Sequence, residues 1–345
     1  MKFLNYPVRL ITIVCFVTCT LLWSCTKEGP QGPKGEDGVD GMDGNATCGQ
    51  CHNFSETIKS RMVQWEASLH ATGGTFERNS SSCAPCHTSK GFREVVETGM
   101  QETGASISNP TPVNCYTCHN IHQTYEVEDW GLATTDPVTH WQGGSSYDGG
   151  NGNLCANCHQ SRVTSPFPDD GNPGGDFEIT SFRFGPHHGP QSNLLLGVGG
   201  YDLADVQHPH FNADNGSCIG CHMAEPYGDQ AGGHNMSVSY GYHGGTELLV
   251  DGCLDCHTDE DQLIENTEEF IAEIEADMEE LWQMLVDAGI GDSTNATYAV
   301  TGTHTNAAAG AFYNFKYIEE DKSNGIHNPT YTRQMIEAAK DALSK

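Results

Sequence analysis

The sequence predicts a mainly α-helical chain with extensive loops and a helical bundle at its C-terminal end. Three observations predict it. Leu, Ile, Val and Phe make up only about 18% of the 345 residues, beside a formal net charge of −30, a balance that side chains alone would leave disordered. Six short cysteine–histidine motifs punctuate a body rich in Gly and Pro. Sustained apolar periodicity is confined to residues 262–345.

The N-terminus reads as an address. Lys2 and Arg9 precede the apolar run Leu10 to Leu22, which suits a signal peptide and is too short to span a membrane. Leu22-Trp23-Ser24-Cys25 resembles a bacterial lipobox, with Trp23 as a departure. The expected division is a signal peptide over 1–24 and lipidation of Cys25, anchoring the chain to a bacterial outer membrane on its periplasmic or extracellular face. Residues 25–46 form a collagen-like linker, with Gly29, Gly32, Gly35, Gly38, Gly41 and Gly44 at every third position. It reads as an extended spacer; an oligomer or filament built on it is the sharper alternative.

Residues 47–261 carry the motifs. They are Cys48-Gly-Gln-Cys51-His52, Cys83-Ala-Pro-Cys86-His87, Cys115-Tyr-Thr-Cys118-His119, Cys155-Ala-Asn-Cys158-His159, Cys218-Ile-Gly-Cys221-His222 and Cys253-Leu-Asp-Cys256-His257. Each is CxxCH, the attachment sequence of c-type haem. Two thiols three residues apart on one turn reach the two vinyl groups of one porphyrin. The adjacent histidine then supplies the proximal iron ligand. Zinc or redox CxxC sites require no histidine at that place. Six haem c groups are expected, in a hexahaem domain, and they replace the missing apolar core.

Eleven further histidines remain of seventeen, enough to give every iron a second imidazole. A six-coordinate iron transfers electrons, whereas an open one does chemistry. Several stretches resemble the multihaem cytochrome c superfamily that includes ammonia-forming cytochrome c nitrite reductase and octahaem cytochromes. They are Trp65-Glu-Ala-Ser-Leu-His70, Cys118-His119-Asn-Ile-His122, Gly185-Pro-His187-His188-Gly-Pro-Gln191, Cys221-His222-Met223 with Gly233-His234-Asn-Met236, and Ser323-Asn-Gly-Ile-His327-Asn-Pro329. The resemblance implies a multihaem cytochrome c fold organised around stacked haems. It also implies distal ligation by His70, His122, His187 (over His188), His208 (over His210), His234 and His327. No CxxCK occurs, so nitrite reduction does not carry over.

In residues 262–345, Phe270, Ile274, Met278, Leu281 and Leu285 mark a helix of about 25 residues ended by Gly289. A second helix is predicted over Ala307–Asp321. A third follows Asn328 as N-cap and Pro329 at its first turn. These helices are expected to pack on the haem core.

The acidic balance excludes a nucleic-acid partner, since phosphate binding needs a positive face. The expected function is electron transfer in the periplasm or outside the cell, between redox partner proteins or to an extracellular acceptor, by a carrier and not an enzyme. The alternatives are a reductase of a small nitrogen or sulfur oxyanion with one open haem, and an adhesive or filament-forming surface protein.

Overall fold

A CxxCH segment needs a single helical turn, and most of the chain between motifs needs only to connect such turns. The computed structural model describes residues 55–73, 75–212, 214 and 217–344, together with Gly49 and His52. The signal peptide, Cys25, the collagen-like tract, and Cys48 and Cys51 lie outside the described residues. The chain divides into units 1–44 and 45–345, and every described residue belongs to the second.

In chain order the elements are α1 (Glu56–Ala67), α2 (Leu69–Thr72), α3 (Ala84–His87), α4 (Ser89–Thr98), α5 (Cys115–Cys118), β1 (Val138–Thr139), β2 (Ser146–Tyr147), α6 (Asn153–Ala156), β3 (Asp176–Ile179), α7 (Gln191–Leu196), α8 (Cys218–His222), β4 (Ser239–Tyr242), β5 (Gly245–Leu248), α9 (Glu260–Asp287), β6 (Gly302–Thr305), α10 (Asn306–Asp321) and α11 (Pro329–Leu343). The strands form three antiparallel pairs, β1–β2, β3–β6 and β4–β5. In β3–β6, Asp176 faces Thr305 and Ile179 faces Gly302, which ties the middle of the chain to the entrance of α10.

The apolar core is one-sided. Among the described residues before Val138, Ala84, Pro85 and Phe92 are the only buried apolar side chains. Met62, Val63, Leu69, Phe76, Tyr116, Tyr125 and Val127 are exposed in the same region. The large cluster lies further on. Ile274, Leu281 and Leu285 of α9 meet Phe312, Phe315 and Ile318 of α10 and Tyr331, Met335 and Ile336 of α11. Caps set the helix starts: Asp259 accepts the Gln262 N–H at 3.1 Å, Thr305 that of Ala308 at 3.1 Å, and Asn328 that of Tyr331 at 2.9 Å. Gly289 at φ +74° turns the chain out of α9.

Polar groups staple the segment after α7 to this cluster. Tyr317 donates its hydroxyl to the Val198 carbonyl (2.7 Å). The Gly200 N–H donates to the Tyr331 hydroxyl (2.8 Å). Asn314 accepts from Tyr201 N (2.7 Å) and donates to Tyr201 O (3.1 Å). The Tyr201 ring lies on Gly310, where an added Cβ would fall 2.1 Å from a ring carbon. Alanine at 310 gains about 1 kcal/mol of helix propensity. Overpacking a buried ring costs about 1–3 kcal/mol. Gly310→Ala is therefore expected to lower the melting temperature in a thermal melt followed by circular dichroism; an unchanged or raised value would show that Tyr201 can swing aside.

Candidate functional site

The five described turns share one geometry. In four motifs the histidine N–H closes an α-turn onto the carbonyl of the first cysteine: His87 to Cys83 (3.2 Å), His119 to Cys115 (2.9 Å), His159 to Cys155 (2.9 Å) and His257 to Cys253 (2.9 Å). In the fifth, the whole of Cys218–His222 is helical. Positions i and i+3 of such a turn share a face, so both thiols of a motif point the same way. The Cys115 turn is held by a capping box between Asn114 and Thr117.

The histidine rings pair across the sequence. His52 lies 6.2 Å from His122 between centroids, His70 6.1 Å from His159, and His119 6.3 Å from His234. His222 lies 6.2 Å from His327, and His257 6.5 Å from His210. Each pair joins one motif histidine to one histidine outside the motifs. An iron about 2.0 Å from each of two opposed imidazole nitrogens puts their centroids roughly 6.3 Å apart. The spacing thus fits a metal between two axial rings.

The outer ring nitrogens are held in ways that suit metal ligation, where the second nitrogen donates to a fixed acceptor. Nδ1 of His119 meets the Trp130 carbonyl at 2.7 Å, that of His222 the Met236 carbonyl at 2.8 Å, and that of His210 the Ile326 carbonyl at 2.7 Å. Nδ1 of His159 meets Gln191 Oε1 at 3.2 Å, and that of His87 the Thr75 hydroxyl at 2.9 Å. Nδ1 of His327 meets Asp321 Oδ1 at 2.7 Å. With Nδ1 so engaged, Nε2 is the nitrogen left for a metal.

Local structure aims the non-motif rings. Ser68 ends α1 and caps α2, donating to Trp65 O at 2.7 Å and accepting from Ala71 N at 3.4 Å. The break between the helices turns His70 toward His159. Trp65 pins the same corner through Nε1 to Val113 O (3.2 Å). His122 sits at φ +64°. Asp129 holds that bend by accepting the N–H groups of His122 (2.8 Å), Thr124 (2.7 Å) and Tyr125 (3.0 Å). His234 is set by its N–H on Gln64 Oε1 (3.1 Å), a buried side chain of α1.

Burial works against the charged form of Asp129, but its backbone and hydroxyl donors outweigh that and hold the carboxyl below its ordinary 3.8. Its grip is therefore complete above the unfolded value and is lost as pH falls through the lower folded one. Acidification below about pH 4 is expected to disturb the His52–His122 pair, with Asp129→Asn failing at higher pH. Histidine ring resonances followed during an acid titration would check this; identical profiles for wild type and variant would count against it.

Burial, with His159 second, pulls His70 down to about 4, so at neutral pH it is the uncharged imidazole that ligation requires. His187 is likewise near 4, by burial and then the neighbouring His188, Arg162 and His87. His327 goes the other way: burial opposes its charge, yet the field and hydrogen bond of Asp321 raise it.

The structure sets His70, His122, His234 and His327 against motif histidines and places His210, not His208, beside the sixth. The resemblance implies His208 over His210 as a distal ligand, whereas the ring in contact with His257 is His210. His208 instead packs at 4.5 Å on His210 and accepts that residue's N–H at 3.2 Å. Among the described residues, His87 is the motif histidine without a partner ring at this spacing; His187 and His188 both lie within electrostatic range. His188 is bonded to Glu320. His140 spans Ser145 and Ser192, each at 3.0 Å, leaving neither ring nitrogen free. Asp129 and Asp321 have no motif signature and were not expected; Gln191 and Met236 lie in stretches that resemble the superfamily, but their role as acceptors for Nδ1 was not expected.

The motifs also touch one another. Thiols meet between Cys86 and Cys158, between Cys155 and Cys218, and between Cys221 and Cys253. Cys118 lies within electrostatic range of Cys155 and Cys158. Among the described residues no three His, Cys, Asp or Glu side chains converge as a zinc site needs. Haem fits the ring spacing, the two thiols on one face of each turn, and the exposed apolar side chains, such as Leu69 (85% exposed) beside His70.

Comparison with solved structures gives the class. The outer cell wall cytochrome OcwA matches with a TM-score of 0.53 at 21% identity, over 82% of this chain and 50% of that one. An undecahaem cytochrome from the S-layer of Carboxydothermus ferrireducens gives 0.48 at 16% identity, over 87% and 45%. The fold is a cytochrome fold, and this chain spans half the length of OcwA. Within it, residues 194–345 match the family model of cytochrome c552. No curated protein matches.

Proposed function

We propose that this chain is a six-haem c-type cytochrome that relays electrons at the bacterial cell envelope, tethered through a lipid on Cys25. The observation that carries the reading is the set of five histidine pairs, each uniting a CxxCH histidine with a remote partner at 6.1–6.5 Å. In this reading the thiols of Cys48, Cys51, Cys83, Cys86, Cys115, Cys118, Cys155, Cys158, Cys218, Cys221, Cys253 and Cys256 hold the haems. His52, His87, His119, His159, His222 and His257 are proximal ligands. His122, His234, His70, His327 and His210 stand opposite all but His87, for which His187 or His188 is the partner. Haem supplies the one-electron couple when bound.

The chain's own residues do three things. Each of the five paired sets of imidazoles would hold the metal from both sides and would leave no place on it for substrate or water. The fixed acceptors on Nδ1 of His87, His119, His159, His210, His222 and His327 keep those rings from rotating when charge changes. The thiol contacts link the second site to the fourth, the fourth to the fifth and the fifth to the sixth, with the third within electrostatic range of the fourth. The envelope location rests on the lipobox-like sequence and on the likeness to a cell-wall cytochrome. No helix among the described residues is long and apolar enough to cross a membrane.

The test is mass spectrometry of the mature protein with electron paramagnetic resonance. Six haem masses, an acylated Cys25 and low-spin iron are expected; a chain of peptide mass alone would end the proposal. His70→Gly is expected to convert one iron to high spin, with added imidazole restoring the low-spin signal. An unchanged spectrum would break the His70–His159 pairing.

One observation favours a second reading for one site. His87 lacks a paired ring, and Arg78 and Arg162 act on it electrostatically. A small oxyanion reductase would place its open iron there. A native high-spin signal abolished by His87→Ala would favour it.

A further inference from the structure

We propose that Asp321 is a potential-setting residue that makes the site of Cys218, Cys221, His222 and His327 the lowest in reduction potential of the relay. This rests on the haem reading above and deepens it.

The argument is one of acceptors. The outer nitrogens of His119, His222 and His210 meet neutral backbone carbonyls, and that of His159 a neutral amide. His327 meets a carboxylate, at 2.7 Å. A full negative charge on the acceptor draws the Nδ1 proton away from the ring. The ring becomes a stronger donor, and a stronger donor favours ferric over ferrous iron. The charge is also unscreened. The Asp321 side chain is 0% exposed. No lysine or arginine pairs with it among the described residues. Its neighbours Lys316 and Lys322 are taken by Glu319 and Glu320.

Glu320 is the informative contrast. It bonds His188, but it shares its charge with Lys316 Nζ at 2.8 Å, and the His188 side chain is 65% exposed. Two consecutive carboxylates at the end of α10 thus hold histidines of two sites, and only one of them acts with its whole charge. Ser323 donates both its N–H (3.2 Å) and its hydroxyl to Asp321 Oδ2. These donors fix the carboxylate and moderate it. Asp321 touches no iron; it acts through His327.

The experiment is spectroelectrochemical titration of the full haem-loaded chain. Asp321→Asn keeps an oxygen acceptor and removes the charge. It is expected to raise the reduction equilibrium constant of one haem tenfold or more, ~59 mV for a one-electron couple, with the low-spin spectrum kept. Ser323→Ala leaves the charge less shared, and is expected to shift the same haem the opposite way. Full haem content with every potential unmoved in Asp321→Asn would overturn the proposal. If that variant does not mature, a Ser323→Ala shift that is absent or upward would overturn it instead. A wild-type protein lacking haem would fail the underlying reading, which haem content alone reveals.

Discussion

Replacing Cys218 and Cys221 together by alanine is expected to remove one haem and divide the relay in two. The contacts make this site the bridge. Cys218 meets Cys155 of the fourth motif, and Cys221 meets Cys253 of the sixth. Without it, the sixth site has no described motif contact to the others. The loss also reaches the fold. His327 sits just ahead of Asn328, the cap of α11, so its pairing with His222 anchors the start of the last helix. A half-buried histidine beside a buried carboxylate would lose its partner ring. Haem mass should fall by one group, and rapid-mixing reduction should resolve two disconnected populations where the wild type gives one. Retention of six haems, or a single undivided reduction phase, would refute the bridging role.

Phe312→Ala is expected to cost about 3–5 kcal/mol of stability. Phe312 is wholly buried at the centre of the cluster from α9, α10 and α11. It stands 6.3 Å from both Phe184 and Phe315, so its removal opens a cavity walled by rings that cannot collapse without leaving their own partners. Phe312→Leu keeps most of the volume and should cost less than about 1.5 kcal/mol. Chemical denaturation followed by far-ultraviolet circular dichroism measures both. Equal, small losses would mean that the haem region, and not this cluster, sets the cooperative unit.

How much of this was legible in the sequence follows from how local each feature is. CxxCH is complete within five residues, so the proximal set needed no tertiary information. The last two helices were equally readable, because Pro329 follows a capping Asn328 and because Phe312, Phe315 and Ile318 share a face. The long helix begins at Glu260, well before its apolar stripe at Phe270. Its start is marked by Asp259 and Gln262, a cap pattern that periodicity alone passes over. The partner histidines came only from the resemblance, and there the local signal ran out. His208 and His210 flank one proline, and nothing in those residues says which ring looks toward His257. The acceptors were invisible for a different reason. Asp129 and Asp321 matter through the bends around them, and Gln191 and Met236 through contacts made across the chain. The β3–β6 pair joins strands of four residues over more than a hundred positions, a length at which alternation cannot identify a partner.

The direction in which each histidine pair spans the chain has a consequence for how the protein is made. His70 and His210 precede their motif partners His159 and His257, whereas His122, His234 and His327 follow theirs. On the haem reading proposed above, a chain exported N-terminus first would complete the fourth and sixth centres as soon as their motifs emerge. The first, third and fifth are exported half-built and wait for downstream sequence. The third waits across the longest stretch of chain, and the fifth is completed last, when the start of the final helix has been delivered. On the same reading, truncation before that helix would leave His222 without His327, and the tail of the molecule would act as the checkpoint of its own assembly.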